Sequence, residues 1–257
     1  MTYALITGAS RGIGRAIARE WAGRGHNVLL VARSESILAR EAEAIRSEFK
    51  VQADYLAADL SDPAAAARVF YWCHEKGYVV DTLINNAGFG ASGAFDAVPL
   101  DEQLSMMQVN MNTLVSLTHH FLPVLKAQKK AYLLNIASSA AYQAVPFLSV
   151  YAASKAFVLT FTRGLRYELR GTSVSVTCVC PGATDTEFAN VAQVGEKALK
   201  AAEKVNMTPE VVARMAVDSM VKGKAEVITG LINKVGAFLV WLFPKGLAEK
   251  TAAGLYK

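Results

Sequence analysis

The chain has 257 residues, 53% of them hydrophobic, and 27 basic against 22 acidic side chains give a net charge of +5. This length and apolar content suit one α/β unit with an extensive core, and they exclude a disordered or multi-module chain: no repeat, low-complexity stretch or Ser/Pro-rich linker occurs. The basic residues are dispersed with no Arg/Lys-rich arm, so the charge fits an anionic cofactor or substrate and argues against nucleic acid. Cys73, Cys178 and Cys180, with four scattered histidines, form neither a disulfide framework nor a metal-ligand spacing, and no metal is expected. A strand starting at Thr2 or Tyr3 leaves no room for a signal or transit peptide, so the expected site of action is the cytoplasm.

In chain order, Tyr3 to Thr7 reads as a buried strand. It runs into Gly8-Ala9-Ser10-Arg11-Gly12-Ile13-Gly14 and then a helix through about Arg24, and the strand Asn27 to Ala32 completes a βαβ unit. Glycines there let the backbone turn tightly and approach a pyrophosphate, whose charge the helix start would meet. A helix over about Ser34 to Phe49, a strand near Asp54 to Ala58 and a helix opened by Ser61-Asp62-Pro63 follow. The strand Thr82 to Asn85 leads into Asn85-Asn86-Ala87-Gly88, then a long helix from about Leu100 to Lys126. The strand Tyr132 to Ala137 delivers Ser138, and a helix from Val150 to Leu169 carries Tyr151 and Lys155 four residues apart on one face. The last strands are Ser173 to Cys180, which places Cys178 and Cys180 on one face, and Glu226 to Ile228. Alternating strands and helices predict a Rossmann-type, doubly wound parallel sheet in a single domain over 1–257, with helices on both faces. Ligands bind beyond the carboxyl ends of such strands, so Gly8, Asn86, Ser138 and Pro181 should converge on one crevice.

The spacing Gly-x-x-x-Gly-x-Gly, with Asn85-Asn86-Ala87-Gly88, Ser138, Tyr151, Lys155 and Pro181-Gly182-Ala183-Thr184-Asp185-Thr186, resembles the short-chain dehydrogenase/reductase family over nearly the whole chain. The resemblance implies catalytic roles for Asn110, Ser138, Tyr151 and Lys155. It implies cofactor contacts from Gly8, Ser10, Arg11, Gly12, Ile13, Gly14, Arg33, Ser34, Asp59, Leu60, Asn86, Ala87, Gly88, Tyr151, Lys155, Pro181, Gly182, Thr184 and Thr186. Asp59 would lie near adenine, Asn86 to Gly88 against the adenosine ribose, and Thr186 on the carboxamide. The second strand ends in Ala32-Arg33-Ser34 with no carboxylate, and Arg11 adds a second guanidinium, which points to NADP(H) over NAD.

A lysine beside a phenol favours phenolate and lowers the tyrosine pKa from about 10 toward neutrality. Tyr151 would then exchange a proton with a carbonyl or alcohol oxygen, Lys155 would tune it, and Ser138 would donate to that oxygen. Asn110 would support a water-mediated proton relay to the lysine. The expected activity is NADP(H)-dependent interconversion of a ketone or aldehyde and an alcohol, running as carbonyl reduction on an apolar, ketosteroid-like or acyl ketone. Two rivals stand beside it: a cofactor-sensing regulator without turnover, which would be expected to have lost the tyrosine or lysine, and a sugar-nucleotide epimerase, with a different glycine spacing.

Phe89, Tyr142, Phe147 and Phe188 are candidates for the substrate pocket, with ordinary packing the alternative for each. The segment 187–207 reads as a lid. Within a C-terminal extension over 230–257, the nine-residue apolar run Val235 to Phe243 is too short to span a bilayer; an interfacial helix touching a membrane surface, a channel wall and a dimer contact all fit it. Met106, Met107, Leu114, Leu117, Phe157 and Phe161 put apolar side chains on more than one helix face. The family uses such helices in dimers, so a homodimer is expected, with a tetramer the larger alternative.

Overall fold

A computed structural model describes residues 1–186, 192, 195, 199–200 and 206–256. Seven strands, β1 (Thr2–Thr7), β2 (Asn27–Ala32), β3 (Ala53–Ala57), β4 (Val79–Asn85), β5 (Ala131–Ile136), β6 (Val174–Cys180) and β7 (Glu226–Ile228), form one parallel sheet. Their order is β3-β2-β1-β4-β5-β6-β7, so the chain reverses direction across the sheet between β1 and β4. Such a switch point opens a crevice at the carboxyl ends of those strands.

Side chains alternate across each strand, and here both faces are covered. Ala4, Ile6, Val28 and Leu30 pack with Ile17 and Trp21 of α1 (Gly12–Gly23), Leu38 and Ile45 of α2 (Glu35–Phe49), and Val217 and Met220 of α7 (Pro209–Val221). Leu5, Leu29, Leu83 and Leu133 pack on the other side with Val69 of α3 (Ala65–Glu75) and with Leu117 and Phe121 of α5 (Thr113–Lys126). Leu165 of α6 (Ser149–Glu168) completes that layer. A buried polar ladder ties it to the sheet. Asn85 Nδ2 donates to Thr118 Oγ1 at 3.1 Å and to Asn135 Oδ1 at 2.9 Å, and Asn135 Nδ2 donates to Thr162 Oγ1 at 2.9 Å. Such a ladder fixes the depth of α5 and α6 against β4 and β5, the strands that deliver Asn86 and Ser138.

Two expectations require correction. The helix anticipated over Leu100 to Lys126 is α4 (Leu100–Met107) and α5 separated by a π-helical turn, Gln108–Asn112. The wider turn carries Asn110 inward, where its side chain makes three bonds that an unbroken α-helix would not serve. The helix expected to open at Ser61-Asp62-Pro63 instead begins at Ala65. Asp62 Oδ1 accepts from the Ala64 amide at 2.9 Å and holds a turn ahead of it.

After β7 the chain forms α8 (Leu231–Leu242) and α9 (Lys245–Tyr256). The inner stripe of α8 is narrow: Asn233, Ala237 and Val240 are partly covered and the other residues of the helix are exposed. Asn233 tucks against Gly182 so closely that a Cβ there would lie 2.0 Å from Asn233 Nδ2. The same amide donates to Thr229 O at 2.8 Å.

Candidate active site

The glycine turn is fixed by contacts across the switch point. Gly8 adopts φ +66°, and a Cβ on Gly14 would stand 2.3 Å from Gly8 O and 2.3 Å from Asn86 Nδ2, so only hydrogen fits. Thr7 Oγ1 accepts from the amides of Asn86 and Ala87, each at 3.0 Å, and Asn86 Nδ2 donates to Thr7 O at 2.9 Å. These bonds weld the ends of β1 and β4 together, and α1 starts directly after the turn with its amides directed into the crevice.

That crevice has a volume of about 890 Å³ and runs along the carboxyl edge of the sheet. It gathers Gly8, Ser10, Arg11, Gly12, Ile13, Arg33, Ser34, Asp59, Leu60, Asn86, Ala87 and Gly88 at one end, and Ser138, Tyr151, Lys155, Pro181, Gly182, Thr184 and Thr186 at the other. Gly14 stands behind this wall. Arg33 lies beside Asp59. The Asp59 carboxylate accepts from Ser61 N at 3.0 Å and Ser61 Oγ at 2.8 Å; these bonds, helped by the Arg33 charge, hold it below the usual carboxylate range.

At the other end, Ser138 is extended and its Oγ accepts from the Ala140 amide at 3.1 Å, which leaves its hydrogen to donate into the crevice. The Ser139 amide donates to Pro181 O at 2.7 Å and ties that loop to the end of β6. Tyr151 and Lys155 stack one helical turn apart on α6, with Nζ 5.9 Å from the centre of the phenol ring. Lys155 is buried, its ammonium donates to Ile136 O at 3.1 Å, and desolvation lowers its pKa to about 8. That still lies above pH 7, so the cationic form prevails there.

Asn110 is buried in the π turn. Its Nδ2 donates to Phe89 O and to Ser154 Oγ, both at 3.0 Å, and its Oδ1 accepts from Phe89 N at 3.1 Å. Gly88 separates it from the lysine: a Cβ there would meet Asn110 Oδ1 at 2.9 Å and Lys155 Nζ at 3.1 Å. The four residues singled out by resemblance therefore meet at one place, with the side chain of Asn110 spent on pinning Phe89 and α6. Asn110→Leu keeps the volume but strands the Phe89 amide and carbonyl, so it should cost about 3 kcal/mol. A thermal melt should show Tm lower by roughly 6–12 °C.

Of the substrate candidates, Phe89 lines the crevice. Tyr142 and Phe147 do not. The Tyr142 hydroxyl donates to Glu226 Oε1 at 2.5 Å and stands 3.4 Å from Cys180 Sγ, and burial, with those partners, pushes its pKa up. Phe147, at φ +65°, accepts from the Gly93 amide at 2.8 Å and borders a separate small cavity. Phe188 and most of the 187–207 segment expected as a lid lie outside the described residues; of the residues flanking it, Thr184 pairs with Met207, and Met207 O accepts from Asp185 N at 2.9 Å. Glu102, Ser105 and Val109 also line the crevice, as does Leu148 before α6, and the sequence reading missed all four. The first three recur three to four residues apart, the spacing of one helix face, which is the signal that could have found them.

A glycine-walled crevice at a Rossmann switch point, ending in a serine, a tyrosine and a buried lysine, defines a nucleotide-dependent oxidoreductase. The profile described as short chain dehydrogenase matches residues 2–197, and the chain belongs to the short-chain dehydrogenase/reductase family. Its reaction class is therefore oxidoreduction between CH–OH and C=O. Among relatives, sulfoacetaldehyde reductase 2 of Chromohalobacter salexigens is 39% identical over 207 residues, 80% of this chain and 81% of that one. The 7beta-hydroxysteroid dehydrogenase of Collinsella aerofaciens is 30% identical over 232 residues, 90% and 87% of the two chains. A solved 7beta-hydroxysteroid dehydrogenase superposes with a TM-score of 0.87 at 28% identity over 98% of this chain and 96% of its own. A short-chain dehydrogenase from Sphingobium yanoikuyae in complex with NADPH gives 0.83 at 30% identity, covering 96% and 95%.

Proposed function

We propose that the protein is an NADP(H)-dependent carbonyl reductase acting on an apolar ketone. The observation that carries this reading is the pairing of an arginine, Arg33, where NAD-binding folds often carry a carboxylate, with Ser138, Tyr151 and Lys155 at the far end of one crevice. Gly8 and Gly12 line the crevice where α1 begins, so the first-turn amides suit a pyrophosphate, and Arg33 and Arg11 suit a 2′-phosphate. When bound, the nicotinamide supplies or accepts the hydride.

The chain's own residues do the rest. Ser138 donates a hydrogen bond to the substrate oxygen. Tyr151 delivers its proton to that oxygen as negative charge develops, and the Lys155 ammonium stabilises the phenolate left behind. Asn110 keeps Phe89 and α6 in place. Phe89, Val109, Ala140 and Leu148 supply apolar surface at the reacting end, beside the polar Glu102 and Ser105, and that apolar share supports a hydrophobic ketone.

Following NADPH absorbance against ketosteroids, acyl thioesters, aryl ketones and sugars tests the reading. Turnover of an apolar ketone is the expected result; nucleotide binding with no consumption across the panel would instead mark a regulator. Arg33→Ala should raise KM for NADPH by about ten- to a hundredfold and leave NADH nearly unchanged, because only the former carries the extra phosphate. Equal losses would overturn the cofactor preference.

A homodimer belongs to the same reading. Met106, Leu114 and Leu117 are buried within the chain's own core, which corrects the expectation that they await a partner, but Leu100, Leu104 and Met107 on α4 and Phe157 on α6 are exposed. A monomer mass by light scattering at every concentration would refute the dimer.

A further inference from the structure

The tail after β7 combines exposed apolar surface with concentrated positive charge. On α8, Leu231, Val235, Phe238 and Leu242 recur at i, i+4, i+7 and i+11 and form one line opposite the Asn233, Ala237 and Val240 stripe that packs on the body. Leu239 and Ile232 widen that line, Trp241 is 79% exposed on its flank, and Phe243 and Leu247 continue it beyond the helix. Lys234, Lys245 and Lys250 are exposed among these residues. From Gly230 onward the sequence has four lysines against one carboxylate, Glu249, so this short tail carries +3 of the chain's net +5.

We infer that α8 is a docking element that lies in the surface of an anionic lipid bilayer. No helix among the described residues is long and apolar enough to cross a membrane, and α8 has 12 residues, so lying in the interface is the mode open to it. The lysines meet lipid headgroups while the apolar line and Trp241 enter the acyl boundary. Charge decides between lipid and a second copy of this chain: self-pairing of this face would bring one +3 tail against another, whereas an anionic surface complements it. The location also has a use. Ala252 of α9 is buried in a cluster with Met106, Leu148 and Tyr151, and the last two line the crevice, so docking would set the crevice beside the phase in which an apolar ketone accumulates.

The test is co-sedimentation of the full-length protein with vesicles of phosphatidylcholine and phosphatidylglycerol, against vesicles of phosphatidylcholine alone. Binding to the anionic vesicles is expected, with a blue shift of tryptophan emission that Trp241→Phe removes. Lys234→Ala/Lys245→Ala/Lys250→Ala should weaken partitioning by about a hundredfold, and Phe238→Glu/Trp241→Glu should abolish it. Both should leave Tm and turnover of a water-soluble ketone unchanged. Absence of anionic-vesicle binding, or binding that survives Phe238→Glu/Trp241→Glu, would overturn the inference. So would a dimer in solution that this double variant dissociates, since that assigns the face to a second copy. The readout is binding, so its failure leaves the reductase reading intact and failure of the ketone panel leaves this inference intact.

Discussion

Tyr151→Phe should lower kcat/KM for ketone reduction by about a thousandfold while NADPH affinity, read by fluorescence titration, changes less than about threefold. The substitution removes one oxygen from a buried ring and leaves its packing against Met106, Leu148 and Ala152 in place. Ser138 and Lys155 remain, so the expected residue of activity is whatever the hydrogen bond to oxygen and the local positive charge achieve without a proton donor. If the variant kept more than a tenth of wild-type turnover, a different group would be the acid.

Lys155→Met should separate stability from activity. Burial brings the folded lysine to about 8 against 10.5 for an exposed lysine. The unfolded chain therefore binds more protons between those values, stability rises with pH across that window, and the whole penalty stands below it. Its size is about 3 kcal/mol, and the lost bond to Ile136 O offsets about 1 kcal/mol, so the variant should gain about 2 kcal/mol at pH 7. Melting of the nucleotide-free protein should show Tm higher by roughly 4–8 °C at pH 7, with the gap to wild type shrinking as pH rises from 8 to 10. Activity should fall about a hundredfold to a thousandfold. A variant less stable than wild type at pH 7 would mean that the ammonium is better solvated than its burial implies.

The strands were legible to within a few residues because a sheet covered on both faces demands short continuous apolar runs, as in Leu5-Ile6 and Leu29-Leu30, bounded by turns. The crevice was legible because its parts lie at strand ends, where the order of elements alone brings Gly8, Asn86, Ser138 and Pro181 together. What escaped depended on contacts between distant positions. Asn110 was singled out but its π turn was not, because inserting one residue into the 27-residue helical stretch from Leu100 to Lys126 barely disturbs its periodicity. Tyr142 follows the serine strand like a pocket residue, yet Glu226, 84 positions away, holds its hydroxyl. The spacing of Glu102, Ser105 and Val109 marks one helix face, but that this face turns toward the crevice follows only from the packing of α4 and the π turn.

The interlock of Asn233 with Gly182 joins the tail to the loop that follows β6. Gly182→Ala must displace the Asn233 amide from its bond to Thr229 O, and Asn233→Gly is the natural rescue. By thermodynamic reciprocity, any ligand whose affinity depends on how the 181–186 loop is seated will shift the resting orientation of α8 by the same factor as α8 shifts its binding. A reporter dye on the tail would then sense crevice occupancy without touching the crevice.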